Sequence, residues 1–188
     1  MVSKAFMAQL GAIGKNGENV AVMFTENENY EDSINQAVKY LVNEKKIPGI
    51  FVTVNKPGKT RIDALKKIGV NTDMIIMINV GNTSTNTGCV NIPSAKHLTD
   101  LAVGISHAIE AIPHKDRFLF FDSLSTYLVY NSPQSVMRFG QFLAGKMRAY
   151  DMKGVIMSFK KKDQPDLENF LISIGDIVID ATEKEVKK

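Results

Sequence analysis

Short apolar runs alternate with segments of helical periodicity along most of the chain. The apolar runs predict buried strands over residues 19–25, 50–54, 74–80, 117–122, 154–159 and 176–180. Between the first two runs, apolar residues recur at the three- and four-residue spacing of an amphipathic helix, at Ile34, Ala37, Val38, Leu41 and Val42. Similar stripes predict helices over residues 61–68, within 93–112, after Pro133 and over 165–174.

Strands that alternate with helices, and that are apolar on both faces, are typical of a mainly parallel sheet covered by helices on each side. The pattern therefore predicts a three-layer α/β fold. We expect one domain over residues 1–188, because no repeat, linker or low-complexity tract divides the sequence, and a frayed polar tail over residues 181–188. Ligands of such folds bind beyond the carboxyl ends of the strands. The loops to inspect begin at Thr25, Asn55, Gly81, Asp122 and Lys160.

Composition and charge narrow the class of protein only slightly. The chain has 188 residues, 44% of them hydrophobic, and a net charge of +3, which is too mild to predict nucleic-acid binding by itself. Cys89 is the single cysteine, which excludes an intrachain disulfide, favours a reducing compartment and reads as a loop or partly buried thiol. No apolar stretch is long enough to cross a bilayer, and the first residues lack a strong signal-peptide pattern. We expect a cytoplasmic protein.

The tripeptide Gly58-Lys59-Thr60 has the ending of a phosphate-binding loop. The full motif, G-x-x-x-x-G-K-[ST], uses backbone N–H groups along the whole turn to hold the phosphates. Here the first glycine position is Thr53, inside an apolar run, and Pro57 removes an N–H group from the turn. The sequence favours a turn before a helix over a phosphate site.

Asp122 follows four apolar residues, 118–121, and precedes Ser123. This is the pattern of a Walker B strand, whose aspartate positions Mg²⁺ beside a nucleotide phosphate. Any buried strand that ends in aspartate produces the same pattern, so the structural interpretation stays open beside the functional one.

The wider sequence around Asp122 resembles the core of the RecA/KaiC-like P-loop ATPase superfamily. The matching features are "RFLFFDSLS", a helix with Ser135, Phe139, Leu143 and Arg148 in register, the strand "GVIMSF" and the closing "GDIVID". Towards the N-terminus, "GIFVTVNKP" and "PSAKHLTDLAVGISHAI" look like the second core strand and the helix before Walker B. The resemblance covers most of residues 19–181. It implies a RecA-like fold of the archaeal KaiC-like type, with Asp122 facing the loop that begins at Thr25.

The resemblance places the Walker A loop at "TENENYEDS", which lacks both the glycines and the lysine of that motif. The vestigial P-loop position comprises Thr25, Glu26, Asn27, Glu28, Asn29, Tyr30, Glu31, Asp32 and Ser33. Glycines let the backbone surround phosphate and the lysine neutralises its charge, whereas four acids would repel a triphosphate. Acids instead suit the N-terminus of a helix. The sequence predicts a lost Walker A motif and a well-capped helix.

A second departure concerns the catalytic glutamate that the family carries just beyond its second strand. The matching positions here are Asn55 and Lys56, and an amide is not appreciably basic. The leading hypothesis is therefore a non-catalytic RecA/KaiC-like domain without a cofactor. We expect it to act as a regulatory or protein-interaction module, with a related active ATPase, a signalling protein or a second copy of itself as partner.

The alternative is an unconventional nucleotide-binding ATPase that uses ATP and Mg²⁺. In that hypothesis Asp122 and Ser123 hold the cofactor, and Lys59 with Thr60, or the cluster Lys160, Lys161 and Lys162, replaces the missing lysine. The same cluster also reads as a solvated loop or as a site for an acidic partner. A nucleic-acid binder ranks last.

The three histidines do not form a metal site by their spacing. His97, His107 and His114 are too far apart for a ligand pair on one helix face, and no acid or cysteine completes a set. We expect them to be surface or helix residues, and we predict no metal site.

Overall fold

The computed structural model describes residues 4–81, 88–160 and 163–182. They form one seven-stranded sheet in which each pair of neighbouring strands is parallel, in the order β4-β3-β2-β5-β6-β1-β7. The strands are β1 (Val20–Thr25), β2 (Gly49–Thr53), β3 (Ile75–Val80), β4 (Cys89–Ile92), β5 (Phe118–Asp122), β6 (Lys153–Phe159) and β7 (Ile177–Asp180). The prediction of a mainly parallel sheet is confirmed.

Helices cover both faces of this sheet. They are α1 (Lys4–Leu10), α2 (Tyr30–Lys39), α3 (Gly58–Lys67), α4 (Leu98–Ala111), α5 (Pro133–Ala149) and α6 (Pro165–Ile174). A π-helical turn, Tyr40–Glu44, continues α2, and 3₁₀ segments span Thr72–Met74 and Leu124–Val129. One core lies between the sheet and α1 to α3, and the other between the sheet and α4 to α6. The predicted three-layer α/β fold is confirmed.

The uniform apolarity of the strands follows from this double burial. Along β1, Val20, Val22 and Phe24 pack into the core under α4 to α6, whereas Ala21 and Met23 pack into the core under α1 to α3. Burying a side chain such as valine or phenylalanine stabilises the fold by roughly 1.5–3 kcal/mol. Both faces of the central strands must therefore be apolar, which removes the alternation expected of a strand with one face in water.

Two elements lie outside the sequence prediction, and a third begins earlier than predicted. The helix α1 and the short edge strand β4 fall in segments where no element was expected, and β4 places the half-buried Cys89 in the sheet. Residues 82–87, in the loop expected to begin at Gly81, lie outside the described residues. The helix α3 begins at Gly58, so "GKT" is its first turn and not a turn that precedes it.

Gly58 packs closely against the edge of the sheet at the start of α3. Its N–H group donates a 2.9 Å hydrogen bond to Oδ1 of Asn79 in β3. A Cβ atom at this position would lie 3.0 Å from the sulfur of Cys89 and 3.2 Å from Cβ of Asn79. The glycine of "GKT" therefore allows helix α3 to approach the edge of the sheet closely.

The sequence places the start of a loop at Asp122, and the first half of that segment is buried. Leu124–Val129 is a 3₁₀ segment that begins with buried residues. The Ser125 hydroxyl accepts a 3.0 Å hydrogen bond from the N–H group of Phe159, which ties the segment to the end of β6. Only its far end is exposed, at Val129 and Tyr130.

Arg148, noted in the sequence as part of the family-like helix, joins α5 to the connection between α6 and β7. Its guanidinium donates to the carbonyl of Ile174 at 2.7 Å and to Oδ1 of Asp176 at 2.6 Å. The other oxygen of Asp176 accepts from the backbone N–H groups of Asn19 and Val20, at 3.0 and 2.8 Å. Burial opposes ionisation of Asp176, but these hydrogen bonds outweigh it and lower its pKa.

The C-terminal tail is described only at its first two residues, 181 and 182. Most of the tail predicted to be frayed, residues 183–188, lies outside the described residues. Among the helices within the described ranges, none combines the length and apolarity that a membrane span requires.

Candidate functional site

Asp122 lies at the carboxyl end of β5, the central strand of the sheet. Its Cα is paired with Thr53 at the end of β2, and its side chain has no exposed surface. A buried carboxylate is costly unless hydrogen bonds or positive charge compensate for the lost water. The neighbours of Asp122 therefore determine what this position can do.

Tyr30 provides the shortest of these contacts. It is the first residue of α2, and its hydroxyl donates a 2.6 Å hydrogen bond to Oδ2 of Asp122. The ring is buried and stacks on Phe159, with 5.1 Å between the ring centroids. Asp122 thus lies close to the segment that begins at Thr25, as the resemblance implies.

Arg61 on α3 supplies positive charge beside the same carboxylate. Its side chain has no exposed surface, and Nη2 lies 3.6 Å from Oδ2 of Asp122. Nη2 also donates to the hydroxyl of Tyr30 at 3.2 Å. The guanidinium carbon lies 5.6 Å from the centre of the Tyr30 ring and 5.7 Å from that of Phe51. Arg61 is therefore fixed by an anion, a hydroxyl and two aromatic faces.

Glu31 completes the charges of the site on the solvent side. Its Oε2 lies 2.8 Å from Nη1 of Arg61, and its Oε1 lies 2.8 Å from Nζ of Lys56. Burial opposes ionisation of Glu31, but the hydrogen bond from Lys56 and the charge of Arg61 outweigh it and lower the pKa. Glu31 is therefore a carboxylate that bridges two cations.

Asn55 closes the remaining side of Asp122. Its amide nitrogen lies 3.4 Å from Oδ1 of Asp122 and 3.3 Å from the hydroxyl of Tyr30. Its amide oxygen accepts a 2.9 Å hydrogen bond from the hydroxyl of Thr126. The Thr53 hydroxyl donates a 2.9 Å hydrogen bond to the Lys56 carbonyl, and this bond shapes the turn that carries Asn55 and Lys56. The position at which the resemblance would place a catalytic glutamate thus holds a hydrogen-bonding amide.

The protonation states follow from burial. Desolvation raises the pKa of Asp122 to about 6, although the charge of Arg61 and the hydrogen bonds from Tyr30 and Asn55 oppose the shift. Burial, together with the charge of Asp122, also raises the pKa of the Tyr30 phenol. At neutral pH the phenol is protonated and the carboxylate is ionised. The contact between them is a charge-assisted hydrogen bond.

The sequence-predicted cofactor residues do not all converge on Asp122. Ser123 is buried, and its hydroxyl lies 3.2 Å from that of Ser125. Lys59 and Thr60 are exposed on the first turn of α3. The cation that reaches Asp122 from this helix is Arg61, which the sequence interpretation missed. Arg61 and the buried Leu65 are four residues apart, and that spacing places the arginine on the buried face.

Lys160 lies at the end of β6, and its Nζ is 3.4 Å from Oδ2 of Asp180. Together with Phe159 it borders a cleft of about 330 Å³ beside residues 26–28. Lys161 and Lys162, the rest of the predicted cluster, lie outside the described residues.

The predicted capping of α2 is wrong in its detail. Asn29 precedes the helix, but its side chain accepts no hydrogen bond from the first turn. Its amide donates instead to the carbonyl of Thr182, at 3.1 Å. The acids expected to favour the helix dipole include Glu31 and Asp32 in the first turn of α2. Of these two, Glu31 forms ion pairs with Lys56 and Arg61.

These side chains do not fit a Mg²⁺–nucleotide complex. A carboxylate that positions Mg²⁺ needs a lone pair open to the ion or to its bound water. The oxygens of Asp122 are buried, with the Tyr30 hydroxyl against one of them and the Asn55 amide beside the other. A guanidinium already supplies the nearby positive charge.

The histidines are dispersed. His97 precedes α4 with Nδ1 3.3 Å from a carboxylate oxygen of Asp100, His107 is exposed on α4, and His114 is exposed in the following loop. Among the residues for which the structure gives positions, no three His, Cys, Asp or Glu side chains are grouped as a metal site would require.

Comparison with known proteins gives relatives in structure only. No protein-family model matches the sequence, and no curated protein matches it. Among solved structures, a KaiC-like protein of the hyperthermophilic archaeon Pyrococcus horikoshii superposes with a TM-score of 0.63 at 15% identity, over 90% of this chain and 74% of that one. The fold is KaiC-like.

Two further P. horikoshii proteins share the KaiC-like fold of this chain. One, from a structural study, has a TM-score of 0.59 and 14% identity over 92% of this chain and 88% of its own. The other, an uncharacterized protein in complex with an unknown peptide, has a TM-score of 0.64 and 12% identity over 86% and 76%. At these identities the similarity establishes the fold alone.

Proposed function

We propose that this KaiC-like domain is non-catalytic and acts as a regulatory module that binds a protein partner. One observation carries the proposal. The Tyr30 hydroxyl and the Arg61 guanidinium lie against Asp122, the carboxylate that the family pattern would assign to Mg²⁺. In this proposal the Tyr30 hydroxyl and the Arg61 guanidinium occupy the place beside Asp122 that a metal ion would need.

The segment at the Walker A position supports the same proposal. Residues 25–33 contain no glycine or lysine and carry four acids. The amide of Asn55 cannot act as a general base. A single donor that stabilises a transition state contributes about 3–4 kcal/mol. Loss of the lysine, the backbone cradle and the base together should therefore abolish turnover.

Exposed apolar surface supports a role in protein binding. Val129 and Tyr130 at the end of the 3₁₀ segment are 73% and 47% exposed. A separate cleft of about 620 Å³ between α5 and α6 includes Met137 and Phe170. One of the similar structures contains a bound peptide. The partner we propose is a related ATPase, a signalling protein or a second copy of this chain, encountered in the cytoplasm.

The second candidate is an unconventional nucleotide-binding ATPase. The observation that favours it is the cleft of about 330 Å³ between residues 26–28 and Lys160, since it lies where the family holds phosphates. ATP with Mg²⁺ could use Asp122 there only after Tyr30 and Arg61 had moved away. Lys59 and Thr60 do not support a nucleotide site, because both are exposed on α3.

A phosphate-release assay with ATP and Mg²⁺ separates the two candidates. The wild-type protein and Asp122→Ala are assayed side by side over a range of enzyme concentrations. We expect both to match the background without protein. A rate that grows with wild-type concentration and is absent from Asp122→Ala would support the ATPase and contradict our proposal.

A further inference from the structure

Glu31 binds two positively charged side chains that come from a different part of the chain. Lys56, in the turn after β2, and Arg61, on α3, each place a nitrogen 2.8 Å from one of its oxygens. A second guanidinium nitrogen of Arg61 lies 3.5 Å from Oε1 of Glu31. The carboxylate therefore faces donors from two cations, and it meets the guanidinium end-on through both Nη atoms, a paired geometry that suits planar oxyanions.

The side chains of Glu31 and Arg61 differ in how far they are exposed to solvent. The side chain of Glu31 is 40% exposed, so it can rotate into water without movement of the backbone. The Arg61 side chain has no exposed surface and stays held by Tyr30, Phe51 and Asp122 when Glu31 leaves. Its Nε is also buried and has no hydrogen-bond partner. The guanidinium donors of Arg61 are thus fixed in place, whereas Glu31, their acceptor, is replaceable.

We propose that Lys56 and Arg61 form a carboxylate-binding site that Glu31 covers, and that an acidic side chain of a protein partner takes the place of Glu31. This inference rests on the proposed role in partner binding and names the chemistry of the partner's contact. Glu31 acts as an internal competitor, so the site opens only to a partner that presents a carboxylate.

Charge decides between a carboxylate and a phosphate. When Glu31 leaves, the charges of Lys56 and Arg61 remain, and the buried carboxylate of Asp122 cancels one of them. A single positive charge matches a monoanion. A phosphate dianion would leave the site negative, in a segment that also contains Glu26, Glu28 and Asp32. The site therefore favours the side chain of aspartate or glutamate.

Attachment of Glu31 to the same chain explains why the site would be weak in the wild-type protein. A tethered group acts at an effective concentration in the millimolar range or above, which an external carboxylate must exceed. Removing the charge of Glu31 should therefore strengthen binding. Removing the charge of a neighbouring acid that does not bridge Lys56 and Arg61 should change binding much less.

Fluorescence anisotropy with a labelled hexaglutamate peptide tests the site. The variants are Glu31→Gln, the matched control Asp32→Asn from the same helical turn, and the double variant Glu31→Gln/Lys56→Met. We expect Glu31→Gln to bind at least about tenfold more tightly than Asp32→Asn, because the tethered competitor is gone. The gain should disappear in the double variant, and hexaglutamine should not bind.

Equal affinity of Glu31→Gln and Asp32→Asn would overturn the proposal, as would a gain that survives loss of Lys56. Stronger competition by inorganic phosphate than by acetate would overturn the assignment to carboxylates. Lys56→Met in the wild-type background keeps the test decisive if Glu31→Gln does not fold, because Lys56 is half-exposed and its loss should weaken peptide binding. Unchanged binding by Lys56→Met would contradict the site.

The carboxylate site and the non-catalytic role can fail independently, and the experiments distinguish the two failures. Tight binding of Mg²⁺–ATP by the wild-type protein would remove the non-catalytic role whatever the peptide does. A protein that binds neither Mg²⁺–ATP nor, as Glu31→Gln, the acidic peptide would leave the non-catalytic role intact and remove only the carboxylate site.

Discussion

The hydroxyl of Tyr30 donates a 2.6 Å hydrogen bond to Oδ2 of Asp122, across the carboxyl ends of β1 and β5. Since both side chains are buried, this contact compensates a carboxylate that has lost its water. The same phenol accepts a hydrogen bond from Arg61 at 3.2 Å. A single tyrosine therefore connects the buried anion to the buried cation.

Tyr30→Phe should destabilise the protein by about 1–3 kcal/mol, because Asp122 and Arg61 each lose the buried hydrogen bond to the Tyr30 hydroxyl. The measurement is the free energy of unfolding from urea denaturation. Tyr130→Phe is the matched control, since Tyr130 is largely exposed and its substitution should change stability little. Equal effects of the two substitutions would show that the hydrogen bond to Asp122 contributes nothing.

Arg61→Met should destabilise the protein by about 3–5 kcal/mol, which is more than Tyr30→Phe does, since it leaves the buried charge of Asp122 uncompensated. Lys59→Met, two residues earlier on the same helix, removes the same charge from an exposed position and should be nearly neutral. Chemical denaturation of both variants measures the difference.

A second substitution in the Arg61→Met background identifies the cause of the loss. Asp122→Asn should restore part of the lost stability there, because the remaining carboxylate is then neutral. If it restores nothing, the cost of Arg61→Met arises from lost packing and not from charge.

The sheet was predictable because its central strands are buried on both faces. The strands β1 and β5 are apolar up to their last residues, Thr25 and Asp122, and neither loops nor surface helices produce such runs. The strand β4 was missed because it has four residues at the sheet edge, of which Val90 and Asn91 are exposed. An edge strand of that length lacks the apolar run that a central strand requires.

The site was only partly predictable. The sequence pattern pointed to Asp122 and to the segment that contains Tyr30, because both follow apolar strands. It did not point to Arg61, because arginine on a polar helix is normally a surface residue and only tertiary contacts give it buried partners. It also could not show that Glu31 bridges two cations, since Lys56 and Arg61 are far from it along the chain.

The stability of the protein should depend on pH through Asp122. Its folded pKa of about 6 lies above the ordinary value of 3.8, so the folded state holds its proton more tightly than the unfolded state does. Stability therefore falls as the pH rises from about 4 through 6, by at most about 3 kcal/mol. Asp122→Asn removes this contribution. The difference in unfolding free energy, wild type minus Asp122→Asn, should decrease over that window, and a flat or rising difference would contradict the burial argument.

Arg148→Ala should destabilise the protein by about 1–3 kcal/mol, because it removes charge-assisted hydrogen bonds to Ile174 and Asp176. Arg138→Ala is the control on the same helix, since Arg138 is exposed. Thermal and urea unfolding of both variants should separate them clearly. Indistinguishable curves would mean that the contact between α5 and the connection from α6 to β7 is not stabilising.

The central claim is that Tyr30 and Arg61 close the position at which Asp122, as a Walker B carboxylate, would meet Mg²⁺ and nucleotide. Calorimetric titration of the wild-type protein with ATP and Mg²⁺, beside Tyr30→Ala and Asp122→Ala, tests it most directly. We expect no binding heat above dilution for the wild-type protein or for Asp122→Ala. Micromolar affinity in the wild-type protein that is lost in Asp122→Ala would contradict the account.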